Sequence, residues 1–271
     1  MSELGKRVLS AIIAAPLFLA VTWLGGWYFW VLIAVITVII QYEINIMLEK
    51  QEIKAWMPGV ITLSFPILLI PVFPEGAWML FLSGLLLVFI LETFRSGNRG
   101  WTQLAPTIML GVTIPALFSG LILIRNTGES NEGLILTFAL LFMVWANDVF
   151  AYFGGKLTGK HKLAPSISPN KTVEGFLWGL AGSIMVVVFF KLAVHGFPLA
   201  WAGTILFAFL TGCAGPAGDL AESKLKRAAG IKDSSNVLPG HGGFYDRFDA
   251  VLFSAPAAAV FIYVTQMISV F

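Results

Sequence analysis

VLSAIIAAPLFLAVTWLGGWYFWVLIAVITVIIQY, residues 8–42, runs from Arg7 to Glu43 without one Asp, Glu, Lys or Arg. A helix needs about 20 apolar residues to cross the hydrocarbon core of a bilayer. These 35 residues are too many for one crossing and fit two, with Gly25-Gly26 as the tight turn between them. Lys6 and Arg7 ahead of an apolar stretch also imitate the start of a signal peptide. The stretch is longer than a signal core and continues into a second one, so it reads as a retained span.

Working outward, further charge-free runs lie at 55–74, 76–91, 100–124, 133–147, 175–190, 192–218 and 250–271. They predict spans near 8–24, 27–47, 55–73, 76–93, 104–124, 133–152, 175–194, 198–217 and 250–270. Pro58, Pro66, Pro71 and Pro74 blur the ends of the third and fourth. The expected fold is an all-α polytopic membrane protein of about nine transmembrane helices. It divides into an N-terminal transmembrane bundle, 1–132, and a C-terminal catalytic transmembrane region, 133–271, within one continuous membrane domain. Composition agrees: 58% of residues are hydrophobic and 12% charged, where a soluble domain carries about 25% charged residues. That excludes a water-soluble globule and a disordered chain, and the single Cys213 excludes a disulfide scaffold.

The net charge of +2 becomes informative once mapped. With nine spans, the N-terminus shares a side with every even-numbered loop. That side holds Lys6, Arg7, Lys50, Lys54, Arg95, Arg99, Lys156, Lys160, Lys162, Lys171, Lys224, Lys226, Arg227, Lys232 and Arg247; only Arg125 and Lys191 fall opposite. Basic residues collect on the cytoplasmic side, so the N-terminus and both polar loops are expected there. The setting expected is a membrane, multi-pass, with membrane lipid as surroundings and no nucleic-acid partner.

Carboxylates gather at the cytoplasmic ends of the C-terminal spans. Asp148 lies in WANDVFAY, near the end of the sixth; it reads as facing a cavity or partner, or as an interfacial Asp one turn from water. Asp219 closes the eighth, in GCAGPAGDL, where Gly215, Pro216 and Gly218 are expected to break the helix. Asp219 and Glu222 are three apart, as are Asp246 and Asp249, so each pair shares a helix face. Each pair presents oxygens to one cation, or is a solvated helix end. Oxygen ligands without useful cysteines favour Mg²⁺ over zinc, and His161, His195 and His241 lack metal-ligand spacing. Lys224, Lys226 and Arg227 follow directly, and Gly240, Gly242 and Gly243 bracket His241. Glycines let backbone N–H groups approach a phosphate, whereas lysines beside a membrane also serve as headgroup anchors. The stretch 43–56, EINIMLEKQEIKAW, reads as an interfacial amphipathic helix or a plain loop.

SKLKRAAGIKDSSNVLPGHGGFYDRFD, residues 223–249, resembles the signature of the phosphatidate cytidylyltransferases, or CDP-diacylglycerol synthases. Its Ser, Lys-Arg, Lys-Asp, His-Gly-Gly and Asp-Arg-x-Asp elements match in order and spacing. DVFAYFGGKLTGKHKLAPSISPNKTVEG, residues 148–175, is also similar to the family, with Asn170 where glycine is commoner. The first 140 residues match only in being hydrophobic and multi-spanning. The resemblance implies that CTP and phosphatidate in the bilayer give CDP-diacylglycerol and pyrophosphate, for phospholipid biosynthesis, with Mg²⁺ required, a homodimeric assembly and a place in the cell inner membrane of a bacterium.

On that reading the difficulty is repulsion between two polyanions, and the remedy is positioning with neutralisation of charge. Asp219, Asp246 and Asp249 would hold one or two cations, with Lys226 beside them in the catalytic set. Ser223, Lys224, Arg227, Lys171, His241, Gly242 and Gly243 would bind substrate phosphates. Asp148, Glu174, Glu222, Lys232, Asp233 and Arg247 would support them, Asp148, Lys171 and Glu174 forming an opposing wall. Two rivals share the setting: a CTP-dependent lipid kinase, which would leave CDP, and a transporter, which would show an inverted repeat not found here.

Overall fold

The computed structural model describes residues 3–95, 100–128, 131–235 and 242–270. Helices α1 (Glu3–Leu24) and α2 (Gly26–Glu49) meet at Gly25 and Gly26, whose φ angles of 66° and 54° are left-handed values that favour glycine. The next helices are α3 (Met57–Leu69), α4 (Pro74–Phe94), α5 (Leu104–Arg125) and α6 (Glu132–Thr158). A hairpin follows, β1 (Lys162–Ala164) antiparallel to β2 (Ser168–Thr172). The chain then forms α7 (Val173–Ala193), α8 (Trp201–Ala228) and α9 (Tyr245–Val270). Among the described residues, seven helices are long and apolar enough to cross a membrane, and Ala14–Leu24 and Met57–Leu69 are shorter apolar helices. The chain is a multi-pass membrane protein.

Two compact units divide the chain: Met1–Ile122 with Ala228–Arg247, and Leu123–Arg227 with Phe248–Phe271. In the first, Pro58 and Pro74 begin α3 and α4, positions where a missing N–H costs nothing. Leu63, Val88 and Leu104 form a buried cluster with Trp56, Phe81 and Phe89 against it. Buried Gln41 donates from Nε2 to Ser64 Oγ at 2.7 Å and to the Leu110 carbonyl at 2.9 Å, tying α2 to α3 and α5. Residues 43–49 of the expected interfacial stretch are the last turns of α2, and Glu43 is buried there at 1% exposure. An amphipathic pattern at a helix end looks the same whether its apolar side meets lipid or a neighbouring helix.

In the second unit α6 and α7 pack closely because α7 carries Gly175, Gly179 and Gly182 on one face, a small-residue stripe that lets two helices approach. A methyl at Gly179 would come 3.0 Å from the Asn147 carbonyl, and one at Gly182 would strike the Phe150 ring. The hairpin between them was not anticipated, since five residues of SPNKT lack any apolar alternation. Thr172 caps α7 by accepting from the Gly175 N–H at 3.1 Å. Glu174 accepts from the N–H groups of Lys160 (3.0 Å) and His161 (3.2 Å), and its Oε1 lies 2.6 Å from His161 Nδ1. The start of the hairpin is thereby fastened to the first turn of α7.

The expected break in the eighth span is corrected. Helix α8 runs without interruption from Trp201 to Ala228, through Gly215, Pro216 and Gly218. Pro216 has no N–H for the carbonyl of Gly212, four residues back. Asn147 Nδ2 of α6 donates to that carbonyl at 3.1 Å and to Ser183 Oγ at 3.0 Å, so the gap is filled from the neighbouring helix. Replacing Asn147 by alanine should expose this defect, costing about 1–3 kcal/mol for the orphaned buried carbonyl. Thermal unfolding of the purified variant in detergent checks it; an unchanged midpoint would mean that the carbonyl finds another donor.

Candidate active site

Gly218 explains how two carboxylates on different helices come together. A Cβ there would lie 2.3 Å from the backbone carbonyl of Asp249, so α8 and α9 cross backbone against backbone at that point. Above the crossing, Asp219 and Glu222 of α8 and Asp249 of α9 each offer a carboxylate oxygen, and these atoms all lie within 4.8 Å of one another. Two cations neighbour them: Lys171 of β2 pairs with Asp219 Oδ2, and Lys226 Nζ lies 2.9 Å from Glu222 Oε2. Ser223 donates its hydroxyl to Asp219 Oδ1 at 3.3 Å.

These residues suit a small hard cation. Mg²⁺ takes oxygen ligands at about 2.0–2.1 Å in octahedral geometry, which puts opposite ligands about 4.2 Å apart. Three carboxylates already gathered within 4.8 Å need little movement to meet that spacing. Glu222, read from its spacing as sharing a face with Asp219 and otherwise placed in support, stands within this group.

Beside the cluster lies a cavity of about 480 Å³, within the usual range for a small-molecule site. Asp148, Tyr152, Lys156, Asn170, Lys171, Phe176 and Asp219 are among its lining residues. These residues are mixed in kind: two aromatics, two lysines, one amide and two carboxylates. Asp219 belongs to both the cavity wall and the carboxylate cluster. Lys224 and Arg227 are exposed on the last turns of α8. The structure therefore brings Asp219, Glu222, Asp249, Lys171, Lys226 and Ser223 together and sets Asp148 and Lys171 in one cavity. Glu174 is instead engaged by the hairpin.

The segment before α9 has its own arrangement, within the first unit. Asp246 Oδ2 accepts from the Ser234 N–H (3.0 Å), the Ser234 hydroxyl (2.8 Å) and the Gly243 N–H (2.8 Å). Gly242 has φ 77°, and a methyl there would sit 2.7 Å from the same oxygen. Both glycines, expected to admit a phosphate, have carboxylate oxygens among their nearest neighbours. Lys232, Asp233 and Arg247 are exposed, and His241 with Gly240 lies outside the described residues. Neither the cavity-lining Asn147, Tyr152 and Phe176 nor the buried Glu43 was singled out beforehand. Glu43 carried a usable signal, a carboxylate inside a predicted span. The aromatics carried none, being two among 28 Phe and Tyr residues.

A multi-span membrane protein with three clustered carboxylates, one of them on the wall of a cavity of mixed lining, has the make-up of a membrane enzyme that handles phosphates. The model of the cytidylyltransferase family matches residues 5–265, and the chain belongs to that family. Curated relatives agree along nearly the whole length. Phosphatidate cytidylyltransferase of Bacillus subtilis (strain 168) is 35% identical, covering 94% of this chain and 96% of its own. Enzymes of the same name from Staphylococcus saprophyticus (34%) and Staphylococcus epidermidis (35%) each cover 92% of this chain and 95% of theirs.

Proposed function

We propose that this chain transfers a cytidylyl group from CTP to phosphatidate, giving CDP-diacylglycerol and pyrophosphate. The observation that carries the reading is the double membership of Asp219, in the carboxylate cluster and in the cavity wall. A phosphate oxygen of the lipid forms a bond to the α-phosphorus of CTP. The bond from that phosphorus to the bridging oxygen breaks, and pyrophosphate leaves with the electron pair. A phosphate monoester near neutral pH is largely dianionic, so the nucleophile needs no strong base.

A divalent cation held by Asp219, Glu222 and Asp249 would neutralise charge on the reacting phosphates. Asp246, three residues before Asp249 and on the same face of α9, is proposed for a second cation. Lys171 orients Asp219 and offers its ammonium to the nucleotide phosphates. Lys226 holds Glu222, while Lys224 and Arg227, on the exposed end of α8, receive phosphate oxygens with Ser223. His241, Gly242 and Gly243 remain proposed as phosphate contacts, with Lys232, Asp233 and Arg247 in support. Asp148, with Asn170 beside Lys171, forms the wall where the nucleotide is oriented, and Glu174 supports it by holding the hairpin.

Nine crossings with the N-terminus and the site cytoplasmic, in the inner membrane, are supported by the sorting of the basic residues and by the 22 residues of α1, about 33 Å of helix. The assembly taken from the family resemblance is a homodimer. Purified protein in detergent with Mg²⁺, CTP and phosphatidate should release pyrophosphate and form CDP-diacylglycerol. Pyrophosphate release without the lipid, equal use of ATP, or CDP as the product would defeat the proposal.

A further inference from the structure

Glu43 is a carboxylate sunk in a membrane-spanning helix, 1% exposed, and no step above uses it. A carboxylate in such a place is tolerated only with donors around it. The donors come from a segment about 190 residues on. Glu43 Oε1 accepts from the Ser235 hydroxyl at 2.5 Å and the Phe244 N–H at 3.0 Å. Oε2 accepts from the Ser234 hydroxyl at 3.2 Å and the Tyr245 N–H at 2.8 Å. Gly243 is seated on the same carboxylate, and a methyl there would fall 2.5 and 2.7 Å from its two oxygens.

The same segment holds Asp246, and the two carboxylates share one group. The Ser234 hydroxyl lies 3.2 Å from Glu43 and 2.8 Å from Asp246, and it has a single proton. The N–H groups of Phe244 and Tyr245, which immediately precede Asp246, are pinned to Glu43. We infer that Glu43 is a positioning residue for the reaction: through Ser234, Gly243 and the 244–245 backbone it sets the direction of the Asp246 carboxylate. The inference rests on the reading of Asp246 as a cation ligand.

Glutamine is a severe test. Whichever way its amide turns, the NH₂ faces a backbone N–H, Phe244 on one side or Tyr245 on the other. Glu43→Gln should lower kcat, and raise the Mg²⁺ requirement, read as the Mg²⁺ dissociation constant by titration calorimetry without substrates, each by about tenfold or more, the usual effect of removing a partner that orients a ligand. The KM for phosphatidate should stay near the wild-type value. Ser235→Ala removes one donor without leaving a buried charge unpaired, and should shift the Mg²⁺ requirement in the same direction by a smaller factor. Glu43→Asp, which keeps the charge, should recover part of the loss. A purely structural role would lower the yield of folded protein without moving the Mg²⁺ requirement. Wild-type kcat and Mg²⁺ dependence in Glu43→Gln beside an inactive Asp246→Asn would overturn the positioning role alone. Should Glu43→Gln not fold, an unshifted requirement in Ser235→Ala overturns it equally. Normal turnover of Asp246→Asn would instead remove the site reading, and this inference with it.

Discussion

Asp219→Asn is expected to lower pyrophosphate release by about a thousandfold, because loss of cation-borne charge neutralisation is worth several kcal/mol at the transition state. Asn keeps the size of the side chain and one acceptor oxygen, so the Ser223 hydroxyl, 3.3 Å away, still finds a partner. What disappears is a negative charge in two places. The cluster drops from three carboxylates to two, and Lys171 loses the anion it pairs with. Lys171 would then meet the nucleotide phosphates without a competitor, so CTP binding should survive and separate from the loss of turnover. The measurement is kcat and the CTP dissociation constant in parallel, on protein whose thermal midpoint matches the wild type. Turnover within a few fold of normal would remove Asp219 from the chemistry and leave the cavity without its link to the cluster.

The helices were legible because the bilayer imposes one rule everywhere: charge is excluded over about 20 residues. Ends were legible where a glycine pair marked them, as at Gly25-Gly26, and not at α4, which begins at Pro74 in a stretch with four prolines. The same residues misled in α8, where Pro216 reads as a break. Its cost depends on a donor 69 positions earlier, Asn147, and single-sequence periodicity holds no record of that neighbour. The Asp219–Glu222 pair of α8 was legible, since a spacing of three gives a shared face. Which carboxylate of α9 these two would meet was not, because that depends on where two helices cross. Gly242 and Gly243 show the limit most plainly: a glycine announces a close approach, and only coordinates say to what. For Gly242 it is Asp246, and for Gly243 it is Ser234 together with Glu43.

Gly218→Ala should be the most damaging substitution of a residue that bears no functional group. The added methyl would lie 2.3 Å from the Asp249 carbonyl oxygen and 3.1 Å from its carbonyl carbon. A flexible side chain could turn away, but this oxygen belongs to the backbone of α9 and is held by that helix's own hydrogen bonds. Relief therefore requires α8 and α9 to separate at the level of Asp219 and Asp249. A normal van der Waals contact is more than 3 Å, so the displacement is on the order of 1 Å, and misplacement of that size costs about a hundredfold in rate. Overpacking also costs about 1–3 kcal/mol of stability, so the variant should melt earlier while remaining inserted. Gly203, on the same helix but with no neighbour nearer than 3.8 Å to its missing methyl, supplies the control. Gly203→Ala should keep full activity and gain slightly from helix propensity, since alanine exceeds glycine by about 1 kcal/mol in a helix interior. If both alanine variants turn over alike, close backbone contact is not what brings Asp219 to Asp249. If only Gly218→Ala fails, and higher Mg²⁺ restores part of its rate, the defect lies in the spacing of the carboxylates.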